Sequence, residues 1–150
     1  MLKVGDKAPE ITVHTDSGEE FRLSDLKGKR VVLYFYPKAD TPGCTVEACE
    51  FRDDVKGFAK KGAAVIGVSP DKPAAQAKFK TKYDLPFTLL ADEDRGAAEA
   101  YGVWKEKNMY GRKVMGIYRT TIVISPEGKI EKIYNKVKAK GHAAAVLAEL

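Results

Sequence analysis

The sequence predicts an α/β layered domain built on a mixed sheet. Three observations lead there. Short apolar and aromatic runs alternate with helical segments along the chain, the pattern of strands side by side with helices on their faces. Two turn sequences, Asp16-Ser17-Gly18 near the start and Ser125-Pro126-Glu127-Gly128 near the end, each sit between short strand-like runs and add antiparallel pairing. The 150 residues are 44% hydrophobic with no repeat, linker or low-complexity tract, so residues 1–150 read as a single domain able to bury its own core.

Each element follows in order. Ile11–His14 and Glu20–Leu23 flank the first turn and form an N-terminal β-hairpin. Ser24 to Gly28 reads as one capped helical turn. Val31–Tyr36, apolar and aromatic throughout and ended by Pro37, is a buried central strand. Thr41–Lys61 reads as one helix, with Pro42 in its first turn and Gly62 after its end. Ala64–Ser69 is a second buried strand, Pro73–Tyr83 a helix, Phe87–Ala91 a short strand and Asp94–Tyr101 a short helix. Gly116–Ile124 and Lys129–Val137 flank the second turn as a hairpin, and Gly141–Leu150 is a terminal helix rich in Ala and Leu. By analogy of element order, this fits a thioredoxin-like architecture: a mixed central sheet flanked by helices, with an extra N-terminal hairpin.

Composition narrows the function classes. No apolar run approaches the ~20 residues of a membrane span, and the first residues lack the apolar stretch of a signal peptide. A soluble, cytoplasmic protein is expected. Two cysteines and two histidines supply neither a disulfide framework nor a four-cysteine zinc site, and no metal or other cofactor is expected. The net charge is +5, and residues 1–75 hold twelve charges of each sign, so the whole excess lies in residues 76–150. Those lysines are scattered and match no nucleic-acid-binding motif; they read as a solvated basic surface. No nucleic-acid or membrane partner is expected.

The chemistry concentrates in Tyr36-Pro37-Lys38-Ala39-Asp40-Thr41-Pro42-Gly43-Cys44-Thr45-Val46-Glu47-Ala48-Cys49. A buried strand ends, a short loop follows, and a helix begins near Thr41. Cys44 falls in the first helical turn, where N–H groups lack intrahelical acceptors and the helix dipole places partial positive charge. Both effects favour a thiolate over a thiol. The commonest fate of a free cysteine is that of a small buried hydrophobe; the strand end and helix start favour reactivity here. Gly43 lets a substrate oxygen approach the backbone closely. Thr41 is placed to cap the helix and to offer a hydroxyl beside the sulfur. Glu47 either complements the helix dipole or belongs to a site.

At ~100° per residue, Ala48, Phe51, Val55, Phe58 and Ala59 share the side of Cys44 and form the stripe that faces the sheet. Cys49 falls about 140° away, and on one continuous helix its Cα lies about 8.6 Å from that of Cys44. A disulfide needs roughly 4.4–6.8 Å. The two cysteines therefore stay apart, or the first turns unwind to join them. The C-x-x-x-x-C spacing is neither that of a dithiol oxidoreductase nor that of a zinc knuckle.

These residues carry a resemblance. Pro37-x-x-x-Thr41-x-x-Cys44 matches the active-site signature of the peroxiredoxins, and the run Tyr34 to Thr45 with Glu47-Ala48-Cys49 resembles the bacterioferritin comigratory protein, or peroxiredoxin Q, subgroup. Gly67 to Asp71, Leu85-Pro86-Phe87, Tyr101 to Trp104, Gly116 to Thr121 and Gly128-Lys129-Ile130 extend it over nearly the whole chain. The resemblance implies a thiol peroxidase acting on hydrogen peroxide and organic hydroperoxides. Cys44 would be the peroxidatic cysteine and Cys49 the resolving cysteine of an intramolecular disulfide. Thr41 and Arg119 would bind and polarise the peroxide, and Pro37 would shield Cys44 from bulk water. Thioredoxin or a similar dithiol protein would recycle the enzyme. With no third cysteine and no cysteine-bearing C-terminal tail, a monomer is expected. Two other readings stand beside it: a thiol–disulfide oxidoreductase on the same fold, and a basic binding or holdase-like module with inert thiols.

Overall fold

The computed structural model describes residues 2–150. Nine strands and five helices are laid out along them: β1 Thr12–Thr15, β2 Glu20–Arg22, β3 Arg30–Phe35, α1 Pro42–Asp53, α2 Val55–Lys60, β4 Ala63–Ser69, α3 Pro73–Tyr83, β5 Thr88–Ala91, α4 Gly96–Ala100, β6 Trp104–Met109, β7 Arg112–Ile117, β8 Thr120–Ile124, β9 Ile130–Tyr134 and α5 His142–Ala148. A 3₁₀ turn at Leu23–Leu26 stands where one capped turn is expected. Seven strands form one mixed sheet in the order β2-β1-β5-β4-β3-β8-β9. β3, β4 and β5 run parallel, while β1 on β5, β8 on β3 and β9 on β8 are antiparallel. The N-terminal hairpin and the mixed thioredoxin-like sheet stand as expected.

β3 is buried on both faces and divides the core. Val31, Leu33 and Phe35 face a layer with Ala97, Ala98 and Tyr101 of the α4 region. Val32, Tyr34 and Tyr36 face a second layer with Phe51, Phe58, Phe79 and Val146 from the helices. Alternation along the strand thus serves two apolar faces at once, which is why the strand reads as a continuous apolar run.

Two expectations are corrected. The helix expected over Thr41–Lys61 is two helices, broken at Asp54 (φ −98°, ψ 4°). Asp53 and Asp54 compete with the backbone for hydrogen bonds and are poor helix formers in succession. The break re-aims α2, so Ala59 is exposed although it was placed on the buried stripe, whereas Phe58 is fully buried. It also lets α2 approach α5: a Cβ on Gly57 would lie 2.8 Å from Leu147 Cδ2. Second, the strand expected over Gly116–Ile124 is divided. Residues to Ile117 pair with β6 as a separate two-stranded hairpin, and β8 begins at Thr120. Tyr118 and Arg119 lie in the break, outside both ladders.

The end of β3 is held by buried polar bonds. Tyr36 donates its hydroxyl to Gln76 Oε1 at 2.6 Å, and Gln76 Nε2 donates to the Leu90 carbonyl at 2.8 Å. Both side chains are fully buried. Replacing Gln76 by Leu would remove the acceptor of the buried Tyr36 hydroxyl and one of the donors to the Leu90 carbonyl, which stays in the β4–β5 ladder, so Gln76→Leu should lower stability by about 1–3 kcal/mol. Urea unfolding would measure this as a reduced midpoint at unchanged slope.

Candidate active site

Beyond Pro37, which is half-buried, the loop to α1 is fastened to its surroundings. The Ala39 N–H donates to Asp71 Oδ2 at 2.8 Å, and Ser69 Oγ donates to the same oxygen at 2.7 Å. Asp40, at φ 59°, accepts from Lys82 Nζ and from the Tyr83 hydroxyl, each at 2.9 Å. The start of α1 is thereby set against β4 and α3.

Thr41 is the N-cap residue of α1, but its hydroxyl makes no capping bond. It donates instead to the Lys38 carbonyl at 2.7 Å. The expected cap is corrected: the hydroxyl hydrogen is committed backward, to the loop, which leaves the oxygen as an acceptor. Thr45 N–H to the Thr41 carbonyl, 2.8 Å, opens the helical ladder, which leaves the Gly43 and Cys44 N–H groups without intrahelical acceptors.

Cys44 is buried at 1% exposure. Arg119, lifted out of the β7–β8 ladder, reaches over it. Its Nη2 donates to Cys44 Sγ at 3.4 Å and its Nη1 to Glu47 Oε1 at 2.6 Å. A Cβ added to Gly43 would stand 3.1 Å from Nη2, so the space at Gly43, expected to admit a substrate oxygen, is the space the guanidinium uses. A permanently charged, forked donor thus binds a sulfur and a carboxylate together.

Glu47 resolves the alternative left open by the sequence. It lies beyond the first turn of α1 and is fully buried, so it serves Arg119 rather than the helix dipole. Its Oε2 has no hydrogen-bond partner. Burial pushes its pKa up to about 7, against the opposing pull of Arg119. The folded state therefore holds this proton more tightly than the unfolded chain does. Stability from it is complete below the ordinary carboxylate range and is lost as pH rises through about 7. His142, pushed down to about 4 by burial and by Arg119, acts oppositely: its contribution is lost as pH falls from about 6.5 through that value. The Glu47 effect should appear as the difference between wild type and Glu47→Gln. Between pH 4.5 and 7, wild type should lose stability relative to the variant at up to ~1.4 kcal/mol per pH unit, the limit for one proton. Thermal melts of both proteins across that range check it; parallel curves would contradict it.

Beneath this group, Tyr34 is fully buried, stacks on Phe51 at 4.6 Å, and leaves its hydroxyl unpartnered. Cys49 is half-buried, and both cysteines are free thiols. α1 is intact across residues 42–53, so the two lie on different sides of it, as the helical geometry requires. Anchors gather just beyond Cys49. Glu50 Oε1 accepts from the Gly141 N–H at 2.7 Å, Phe51 packs edge-on to His142, and Arg52 Nη1 donates to the Tyr83 carbonyl at 2.8 Å.

The structure thus brings Thr41, Gly43, Cys44 and Arg119 to one place and sets Cys49 apart from Cys44 on the same helix. Glu47 is the member whose role the sequence left undecided. Its signal was present as an acidic residue one place from the buried stripe, Ala48 and Phe51, where an unpaired charge is costly.

The chain is similar to known proteins over most of its length. The AhpC/TSA family model matches residues 4–133. A Coxiella burnetii protein named putative peroxiredoxin bcp is 53% identical over 149 residues, covering 99% of both chains. Peroxiredoxin Bcp of Bacillus subtilis is 50% identical, covering 99% of this chain and 95% of that protein. Among solved structures, a PrxQ cysteine variant of Xylella fastidiosa superposes with a TM-score of 0.94 at 35% identity, covering 99% and 95% of the two chains. The Xanthomonas campestris bacterioferritin comigratory protein, studied for alkyl peroxide reduction, gives 0.89 at 41% identity, covering 93% and 88%.

Proposed function

The chain belongs to the AhpC/TSA family, in its Bcp-type peroxiredoxin branch, and on that premise we propose which residues carry its thiol-dependent peroxidase reaction. The observation that supports the assignment best is Arg119 bonded at once to Cys44 Sγ and to buried Glu47.

Cys44 is the peroxidatic residue. Its thiolate attacks the terminal oxygen of hydrogen peroxide or an organic hydroperoxide. The O–O bond breaks, the remaining oxygen leaves as water or alcohol after taking a proton, and Cys44 becomes a sulfenic acid. Charge develops on the leaving oxygen. The free Gly43 and Cys44 N–H groups and the remaining Arg119 N–H donors stabilise it there. Thr41 accepts the peroxide O–H, because its own hydrogen is given to Lys38. Pro37 shields one side of the sulfur from water.

Cys49 is the resolving residue. Its thiolate attacks the sulfenic sulfur, the S–S bond forms, and the hydroxyl leaves as water. A dithiol protein of the thioredoxin kind returns both cysteines to thiols. A single domain over residues 1–150, working as a monomer in the cytoplasm, fits this scheme. No helix of the described residues is long and apolar enough to cross a membrane.

Thiol counting tests the scheme. One equivalent of hydrogen peroxide should remove both thiols and lower the mass by two hydrogens, without dimerisation. Two thiols that persist would overturn it in favour of an inert-cysteine protein. Reduction of insulin at a thioredoxin-like rate would favour the oxidoreductase reading, which the C-x-x-x-x-C spacing opposes.

A further inference from the structure

The β6–β7 hairpin is the least-covered part of the described chain. Its strands pair only with each other, so neither outer edge carries a further strand. Four of the six exposed large hydrophobic residues among those described belong to it: Met109, Tyr110, Val114 and Met115. At its tip Tyr110 is 100% exposed and, with Gly111, sits at positive φ (53° and 79°). Asn-Gly is the strain-free choice for such a turn; a tyrosine there bears backbone strain and leaves its ring in water. Lys105, Lys107, Arg112 and Lys113 face a lone anion, Glu106, within the hairpin. By register, Lys107, Val114, Met109 and Arg112 share one face.

This hairpin is tied to the site. The Tyr118 hydroxyl donates to the Glu106 carbonyl at 2.7 Å, and Lys105 and Lys107 hold their ammonium groups 5.4 and 5.1 Å from the centre of the Tyr118 ring. Arg119 follows directly. Burial, with the positive charge of Arg119 beside it, holds the Lys107 ammonium below its ordinary range.

We infer that the β6–β7 hairpin is the docking arm for the protein that reduces the Cys44–Cys49 disulfide, a dithiol protein with an acidic rim around an apolar reactive centre. The inference rests on the proposed disulfide cycle. Reduction transfers two electrons and two protons: a partner thiolate attacks one sulfur of the disulfide, and its second thiol then displaces the mixed disulfide, leaving the partner oxidised and both cysteines as thiols. The partner must therefore stand over the start of α1, where Val46 is 42% exposed between the cysteines. The arm beside it offers Met, Tyr and Arg, the residues enriched at protein interfaces. A second copy of this chain is the poorer occupant, because a two-fold contact through the arm would set its cations against the same cations of the partner.

The test uses the full-length oxidised protein, a bacterial thioredoxin and dithiothreitol. Two double variants remove one feature each: Met109→Ser with Tyr110→Ser, and Arg112→Glu with Lys113→Glu. The second-order rate of reduction by thioredoxin should fall at least about tenfold in each, the low end of what steering and apolar anchoring supply. Reduction by dithiothreitol and oxidation by peroxide should stay within about twofold, which shows that the fold and the site are intact. Raising salt should slow the wild-type reaction with thioredoxin and leave the Glu-bearing variant unslowed. Unchanged thioredoxin rates in both variants would overturn the arm while leaving the disulfide cycle standing. So would a wild-type dimer that the variants dissociate, which makes a second copy the occupant. Failure of wild type to form the disulfide at all would instead overturn the proposed function on which the arm depends.

Discussion

Cys44→Ser should lose peroxidase turnover down to background, a fall on the order of 10⁴–10⁶-fold, as expected when a nucleophile is removed from a preorganised site. A serine hydroxyl in the same place stays protonated, and the donors around it cannot make it attack. Cys49→Ser should separate the two halves of the cycle. Its first oxidation should proceed within about threefold of wild type, because the donors to Cys44 come from Arg119 and the start of α1. Turnover with a dithiol protein should stop, and the unresolved sulfenic acid should pass to the sulfinic form at lower peroxide. Stopped-flow oxidation followed by mass measurement distinguishes these steps. Loss of the first oxidation in Cys49→Ser would contradict the division of roles.

The second large effect belongs to Arg119. Its removal strips a charged donor from the sulfur and leaves Glu47 buried without its partner. Arg119→Met should slow oxidation by about 10²–10³-fold, the scale of losing one oxyanion donor. It should also lower stability by about 1–2 kcal/mol, the loss of the guanidinium's hydrogen bonds, because Glu47, its pKa already raised to about 7 by burial, takes up a proton at neutral pH instead of remaining an unpaired charge. Combining Arg119→Met with Glu47→Gln should change stability little further and recover none of the rate. Arg119→Lys should be slow as well, because one ammonium cannot reproduce the forked contact to Oε1 and Sγ. If the double variant regained the rate, Arg119 would matter only for folding.

The readable parts of this protein are those whose cause is local. β3, β4 and β5 announce themselves because both faces are buried, and α3 does because Pro73 starts it. Cys44 is readable because a strand end, a short loop and a helix start follow each other within ten residues. The signature residues Thr41 and Arg119 come from family resemblance rather than from spacing. The β6–β7 hairpin is unreadable by periodicity, since its strands bury little and alternate Lys, Glu, Lys and Asn without an apolar face. Its one signal is Tyr110-Gly111, a turn pair with an unusual first member. The break at Asp54 is missed because propensity alone does not show that α2 must turn toward Leu147. Partnerships across the chain are equally hidden: Glu47 meets Arg119 72 positions away, and Tyr36 meets Gln76 40 positions away.

The central claim is that Cys44 and Cys49 join by opening the start of α1. Before opening, the helix holds their Cα atoms about 8.6 Å apart, beyond the roughly 4.4–6.8 Å of a disulfide. Opening exposes Cys44 and Ala48 and gives up the Arg119 bond to sulfur, while Glu50, Phe51 and Arg52 stay fastened to Gly141, His142 and Tyr83. The unwinding should therefore be bounded just past Cys49, and Phe58 should remain buried. Amide hydrogen exchange on the reduced and disulfide forms, with the disulfide verified by mass, measures this directly. Protection should fall across residues 44–50 on oxidation and persist across residues 55–60. Equal protection across residues 44–50 in both forms would contradict the account.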